Sequence, residues 1–174
     1  MNKELKHIAF HEAGHAAMML VYDKDPAHAS LTPKYKTLAQ VGEIYDDYAE
    51  SEFEAAIVVC YAGKEAEMRT GGDGIGSQKD DEDANPYLKL IDKNEVEMRV
   101  KTNGMLDQHW ELVKTIAKEL LRFETLTNNE LHMIYEIYQG EATISDLEFI
   151  WNSALHLSDI KTLENMGFKR KGWS

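Results

Sequence analysis

The stretch "FHEAGHAAM", residues 10 to 18, constrains this chain more than any other. His11 and His15 stand four residues apart, with Glu12 directly after the first. Leu5, Ile8, Ala9, Ala13, Ala16, Met19 and Leu20 recur around them at helical spacing, which predicts a helix from about Lys3 to Val21. On a helix, positions i and i+4 share a face and lie about 6 Å apart along the axis. Two imidazoles there can converge on one ion. Glu12 is rotated by about 100° around the axis, where it reaches a water on the open side of the ion rather than the ion itself. H-E-x-x-H therefore supplies two neutral nitrogen ligands and a general base. The competing reading is a core helix that spells the pattern by accident.

His7 extends the pair into a ladder of three, but the outer two histidines are separated by about 12 Å along the axis, far beyond what Zn–N bonds of about 2 Å can span. His7 is therefore expected at the surface or behind the ligands. His28, His109, His132 and His156 have no local partner pattern. A catalytic zinc takes three protein ligands and keeps one position for water, so a third ligand must come from elsewhere. The acidic candidates are Glu65 and Glu67 on a second helix, and Asp80, Asp81 and Asp83 after a glycine-rich loop. Spacing does not choose among them.

Composition narrows the classes. At 174 residues, 43% hydrophobic and 29% charged, the chain suits one globular domain. A net charge of −12 repels phosphate backbones, so nucleic acid is not an expected partner. Cys60 is the only cysteine; no internal disulfide can form, and its setting in "AAIVVCYAG" marks it as a small buried hydrophobe. The apolar run at the N-terminus is broken by His11, Glu12 and His15, so neither a signal peptide nor a membrane span is expected, and the cytoplasm is the expected location.

Along the chain, "HASLTP" and "QVGEIYD" read as short strands joined through "KYKTLA". Ser51 with Glu54 three residues on has the capping-box pattern for the helix through "FEAAIVVCYAGKEAEMR". "TGGDGIGSQKDDEDA" is a loop; it lacks the lysine and hydroxyl of a phosphate cradle, and Asp80 to Asp83 would repel phosphate. A helix is expected from near Ser77, kinked or interrupted at Asn85-Pro86. The remainder reads as helices only, at roughly Asp107–Phe123, Asn128–Tyr138, Ser145–Leu155 and Ser158–Met166, ending in a loose basic tail "KRKGWS".

Several of these segments occur in the order of a known family. "IAFHEAGHA", "SLTPK" with "VGEIYD", "AGKEAE", "GSQKDDEDA" and "LLRFETLTNNEL" together resemble the peptidase domain of the FtsH-type AAA+ zinc proteases, peptidase family M41, over about residues 5 to 140. Ala62 and Lys64 depart from the family's G-G-R-x-A-E, and "ANPYL" replaces its A-T-x-x-A. The family's ATPase module and membrane segment have no counterpart here, and residues 141 to 174 are expected to form a helical extension. The resemblance implies a single α+β, predominantly helical zincin-type domain with a small sheet near the zinc helix. It implies Zn2+ held by His11, His15 and Asp80, with Glu12 as base and Glu67 as the competing third ligand. The implied activity is hydrolysis of flexible or unfolded polypeptides, with an extended substrate added as a strand beside residues 29–33 or 41–45. The resemblance is compatible with an oligomer and with a separate AAA+ unfoldase as partner. The alternative is a non-catalytic zinc-binding module that engages such a partner.

Overall fold

A computed structural model describes residues 3–31, 50–74 and 77–171. The elements run α1 (Lys3–Val21), β1 (His28–Ser30), α2 (Glu50–Arg69), α3 (Gln78–Leu88), α4 (Glu95–Gln108), α5 (Trp110–Phe123), β2 (Thr125–Thr127), α6 (Asn128–Gln139), α7 (Ile144–Trp151) and α8 (Ala154–Asn165). The described chain is thus mostly helical with a small antiparallel sheet, in keeping with the α+β class.

The expected first helix forms over Lys3–Val21 and lies at the centre. Every residue from Ala13 to Leu20 is buried, which a helix shows only when neighbours cover it all round. Its main partners are α2 and α5. α2 is buried continuously from Glu54 to Gly63. α5 is amphipathic, and its Leu112, Val113, Ile116, Ala117, Leu120 and Phe123 close the core on the far side of α1. α1 therefore runs between two helices, with His15 buried and His11 partly buried on it.

Several expectations need correction. Ser51 lies within α2 rather than before it, and Glu54 is engaged by Lys93 and Lys101 instead of capping the helix. Pro86 sits inside α3, which continues to Leu88. The helix ends soon after, so the proline's missing N–H removes a bond only in the last turn. α4 was not expected, although Asn94 and Glu97 form a full capping box at its start. His109 separates α4 from α5, where one helix from Asp107 was expected. The last two helices begin at Ile144 and Ala154, each ahead of the expected Ser145 and Ser158.

The sheet also differs. β1 falls within "HASLTP", but its partner is β2, with His28 opposite Thr127, Ala29 opposite Leu126 and Ser30 opposite Thr125. Thr125–Thr127 falls between the helices expected at Asp107–Phe123 and Asn128–Tyr138, where no strand was expected. Glu124, in a left-handed conformation at φ 66°, ends α5 and turns the chain into the strand. "QVGEIYD" and the 41–45 docking edge lie outside the described residues.

The described part of the basic tail, residues 169–171, is docked rather than loose. Lys171 N–H donates to the Phe123 carbonyl at 2.9 Å, and the Thr125 hydroxyl donates to the Lys169 carbonyl at 2.7 Å. Arg170 forks onto both carboxylate oxygens of Glu130, at 2.5 and 3.1 Å, with both side chains almost fully buried. Glu130 also accepts from Trp151 Nε1 at 2.7 Å and from Thr127 N–H at 2.8 Å. Removing one partner of a buried ion pair strands the other charge. Arg170→Ala should therefore lower the unfolding free energy by about 3 kcal/mol, at the low end of such losses because Trp151 and Thr127 still serve Glu130. Urea titration checks this, and a loss below about 1 kcal/mol would show that Glu130 does not depend on the arginine.

Candidate metal centre

The metal-site geometry begins with how closely α2 approaches α1. A Cβ added to Gly14 would lie 2.4 Å from the Ala62 carbonyl oxygen, and one on Gly63 would lie 2.2 Å from His15 Nε2. Real side chains do not fit at either position. The two glycines let the helix backbones meet, and the contact brings the Val59 carbonyl within 2.7 Å of His15 Nδ1. A carbonyl only accepts, so Nδ1 carries the proton and the Nε2 of neutral His15 is left as a bare lone pair.

His11 is oriented in the same way by a different partner. Its Nδ1 lies 3.2 Å from Glu67 Oε2, and the other Glu67 oxygen accepts from Gly74 N–H at 3.2 Å. An ionised carboxylate accepts only, so His11 Nδ1 donates and its Nε2 is also bare. Glu67 therefore faces the nitrogen opposite the one that turns toward Asp80. It braces His11, and Asp80 rather than Glu67 is the carboxylate grouped with the two Nε2 atoms.

Asp80, in the first turn of α3, is buried at 2% exposure. Its Oδ2 lies 3.1 Å from His11 Nε2 and 3.7 Å from His15 Nε2, and the two Nε2 atoms are 3.1 Å apart. Oδ2 accepts no well-directed hydrogen bond. Three acceptor atoms thus face one another in a buried space without a donor between them. Such an arrangement is unfavourable unless a cation occupies it. The spacings suit a tetrahedral ion: bonds of about 2.05 Å place neighbouring donors about 3.3 Å apart. Two imidazole nitrogens and one carboxylate oxygen are also a donor set of a catalytic zinc site with one open position. Among the described residues, His11, His15 and Asp80 make the one cluster of such groups suited to a metal.

The same surroundings favour a proton on His11. Burial works to lower the pKa of His11, but contact with Asp80 and the charges of Glu12 and Glu67 overcome it, so the value rises above the ordinary 6.5. Burial likewise works against the ionised form of Asp80, and the two histidines outweigh it, holding the carboxyl below the usual carboxylate range.

Glu12 lies partly buried on α1, close enough for its charge to stabilise protonated His11. The other acidic candidates serve elsewhere. Asp81 pairs with Lys64 and Arg99, Glu65 with Arg99, and Asp83 with Lys79. The other histidines are also placed away from the cluster: His28 packs on Phe168, His109 meets Tyr138, His132 pairs with Asp25, and His156 is buried near Glu130. His7 is half-buried on α1. Burial, with Asp83 and Asp80 nearby, pushes the Cys60 thiol up to about 12, which leaves it inert as expected. The glycines and the Val59 carbonyl were not anticipated. Backbone atoms leave no signature in side-chain patterns, whereas "AG" within "AGKEAE" was a visible sign of close helix packing.

Asp80→Ala should abolish tight zinc uptake. Glu67→Gln should weaken it by about 10-fold, as expected for a residue that only orients a ligand. Chelator competition separates the two, and the opposite ranking would make Glu67 the ligand. Since the ligands must be deprotonated to bind and the pKa of His11 is raised, uptake should release a proton that a histidine of ordinary pKa would already have lost, and zinc affinity should fall as the pH is lowered. Calorimetry in buffers of different ionisation enthalpy reads the release, and uptake with no proton release towards lower pH would contradict the raised pKa.

No protein-family model matches this chain, and no curated protein matches it either.

Proposed function

We propose that the chain is a zinc-dependent endopeptidase acting on flexible or unfolded polypeptides. One observation carries the reading: the bare lone pairs of His11, His15 and Asp80 converge in a buried space with tetrahedral spacing, beside Glu12. The ordered resemblance to the FtsH-type peptidase domain supports the same reading. A structural zinc site is normally closed by four protein ligands, whereas among the described residues three converge and a carboxylate stands alongside.

Zn2+ held there supplies a Lewis acid that acidifies water and polarises a carbonyl oxygen. The protein's own groups do the rest. Val59 and Glu67 fix the tautomers of His15 and His11, so neither ring turns its proton toward the centre. Glu12 accepts a proton from the attacking water and returns it to the departing amine. Burial of the cluster excludes bulk water and strengthens each of these interactions.

Among the described residues no helix is long and apolar enough to cross a membrane. We place the protein in the cytoplasm, a setting in which a lone buried Cys60 stays reduced. A separate AAA+ unfoldase is the partner class in keeping with the reading, because unfolding a stable domain costs several kcal/mol that a peptidase cleft does not supply.

Glu12→Gln should retain zinc and lose hydrolysis of unfolded casein, by about 100-fold or more, the scale of a general base. Full activity in this variant would assign the base elsewhere, and loss of zinc would make Glu12 structural. The wild-type 174-residue chain should cut a permanently unfolded domain and spare its folded form, with or without ATP. Cleavage of neither form by the zinc-loaded chain would favour a non-catalytic zinc-binding module.

A further inference from the structure

The donors come from α1 and α3, and the apolar anchorage of α3 lies towards its C-terminal end, in Ala84 and the partly buried Tyr87 and Leu88, away from Asp80. Only Asp80 and Ala84 are buried on it. Ser77 at its N-cap makes no side-chain bond to the helix and binds the Gly74 carbonyl instead, at 2.7 Å. The first turn is held by Asp81, the neighbour of Asp80. Its Oδ2 accepts from Lys64 on α2 at 2.8 Å, and its Oδ1 accepts from Arg99 Nη2 on α4 at 2.7 Å. Arg99 also donates through Nη1 to Glu65 on α2 at 3.0 Å and through Nε to Glu95 at 2.8 Å. Its guanidinium lies 4.1 Å from the centre of the Tyr61 ring.

We propose that Arg99 is a positioning residue of the metal centre: by gripping Asp81 it fixes the first turn of α3 and so aims Asp80 at His11 and His15. The proposal rests on the metal-centre reading above. A planar guanidinium can hold Asp81, Glu65 and Glu95 at once while stacked on a ring, which a lysine ammonium cannot. The histidines have independent braces in Val59 and Glu67, so loosening α3 should disturb the aspartate alone.

Zinc affinity measured by chelator competition, with far-UV circular dichroism to confirm folding, provides the test. Arg99→Ala and Asp81→Asn should each weaken zinc binding by about 10-fold, the usual scale for a residue supporting a ligand. Arg99→Lys should fall between these variants and the wild type. In an Asp80→Ala background the Arg99→Ala change should have almost no further effect, since the ligand it aims is gone. Asp107→Asn, which breaks the 2.8 Å Arg69–Asp107 pair between α2 and α4 without touching α3, should leave affinity unchanged. If Arg99→Ala does not fold, Asp81→Asn and its Asp80→Ala double variant carry the same comparison. Unchanged affinity in the Arg99 and Asp81 variants, an equal fall in the Asp80→Ala background, or an equal fall for Asp107→Asn would each overturn the positioning role. A wild-type chain that takes up no zinc would remove the metal-centre reading and this role with it; a wild type that binds zinc as tightly as Arg99→Ala would remove the role alone.

Discussion

The close contact between α1 and α2 is the constraint on which the rest depends. Gly14 and Gly63 leave no room for a Cβ between the helices, and at Gly63 the missing atom would overlap the His15 ring itself. That single approach does two things. It buries the His15-bearing half of α1, and it delivers a backbone carbonyl to His15 Nδ1. A helix pair one side chain further apart would still bury apolar surface, but His15 would lose both its tautomer and its orientation. Packing and chemistry are here the same contact.

The second level is electrostatic. Glu12, Glu67 and Asp80 surround two imidazoles within a part of the protein that also carries Asp81 and Glu65. Left to itself this much negative charge would repel. The chain answers with cations on the outside, Lys64 and Arg99, and leaves the inner acceptors facing one another. The inner deficit of positive charge is what a divalent ion would fill. The raised pKa of His11 is the same deficit expressed through a proton.

The legible parts of this arrangement were those with a local signature. The helix through "HEAGH" could be read from apolar periodicity, and the histidine pair from spacing. Asp80 followed from resemblance, because no spacing rule links it to His11 across the intervening chain. The illegible parts were of three kinds. Thr125–Thr127 is too short for a two-residue period to register, and its partner β1 lies far away in the chain. α4 had a clear cap in Asn94 and Glu97, but Val96 and Val100 on it are exposed, so the apolar pattern that marks a packed helix is blurred. The tail looked loose because of its charge, yet Arg170 is buried against Glu130, a pairing that composition does not reveal. Pro86 misled in the opposite sense: a proline near the end of a helix removes little, and α3 accommodates it.

Anomalous diffraction at the zinc edge, from crystals of the zinc-loaded chain, bears most directly on the central claim. The account predicts one strong peak per chain at about 2.0–2.2 Å from His11 Nε2, His15 Nε2 and one Asp80 oxygen, with no fourth protein ligand. A fully loaded chain whose only peak lies elsewhere, or whose peak is coordinated by Glu67 in place of Asp80, would contradict it.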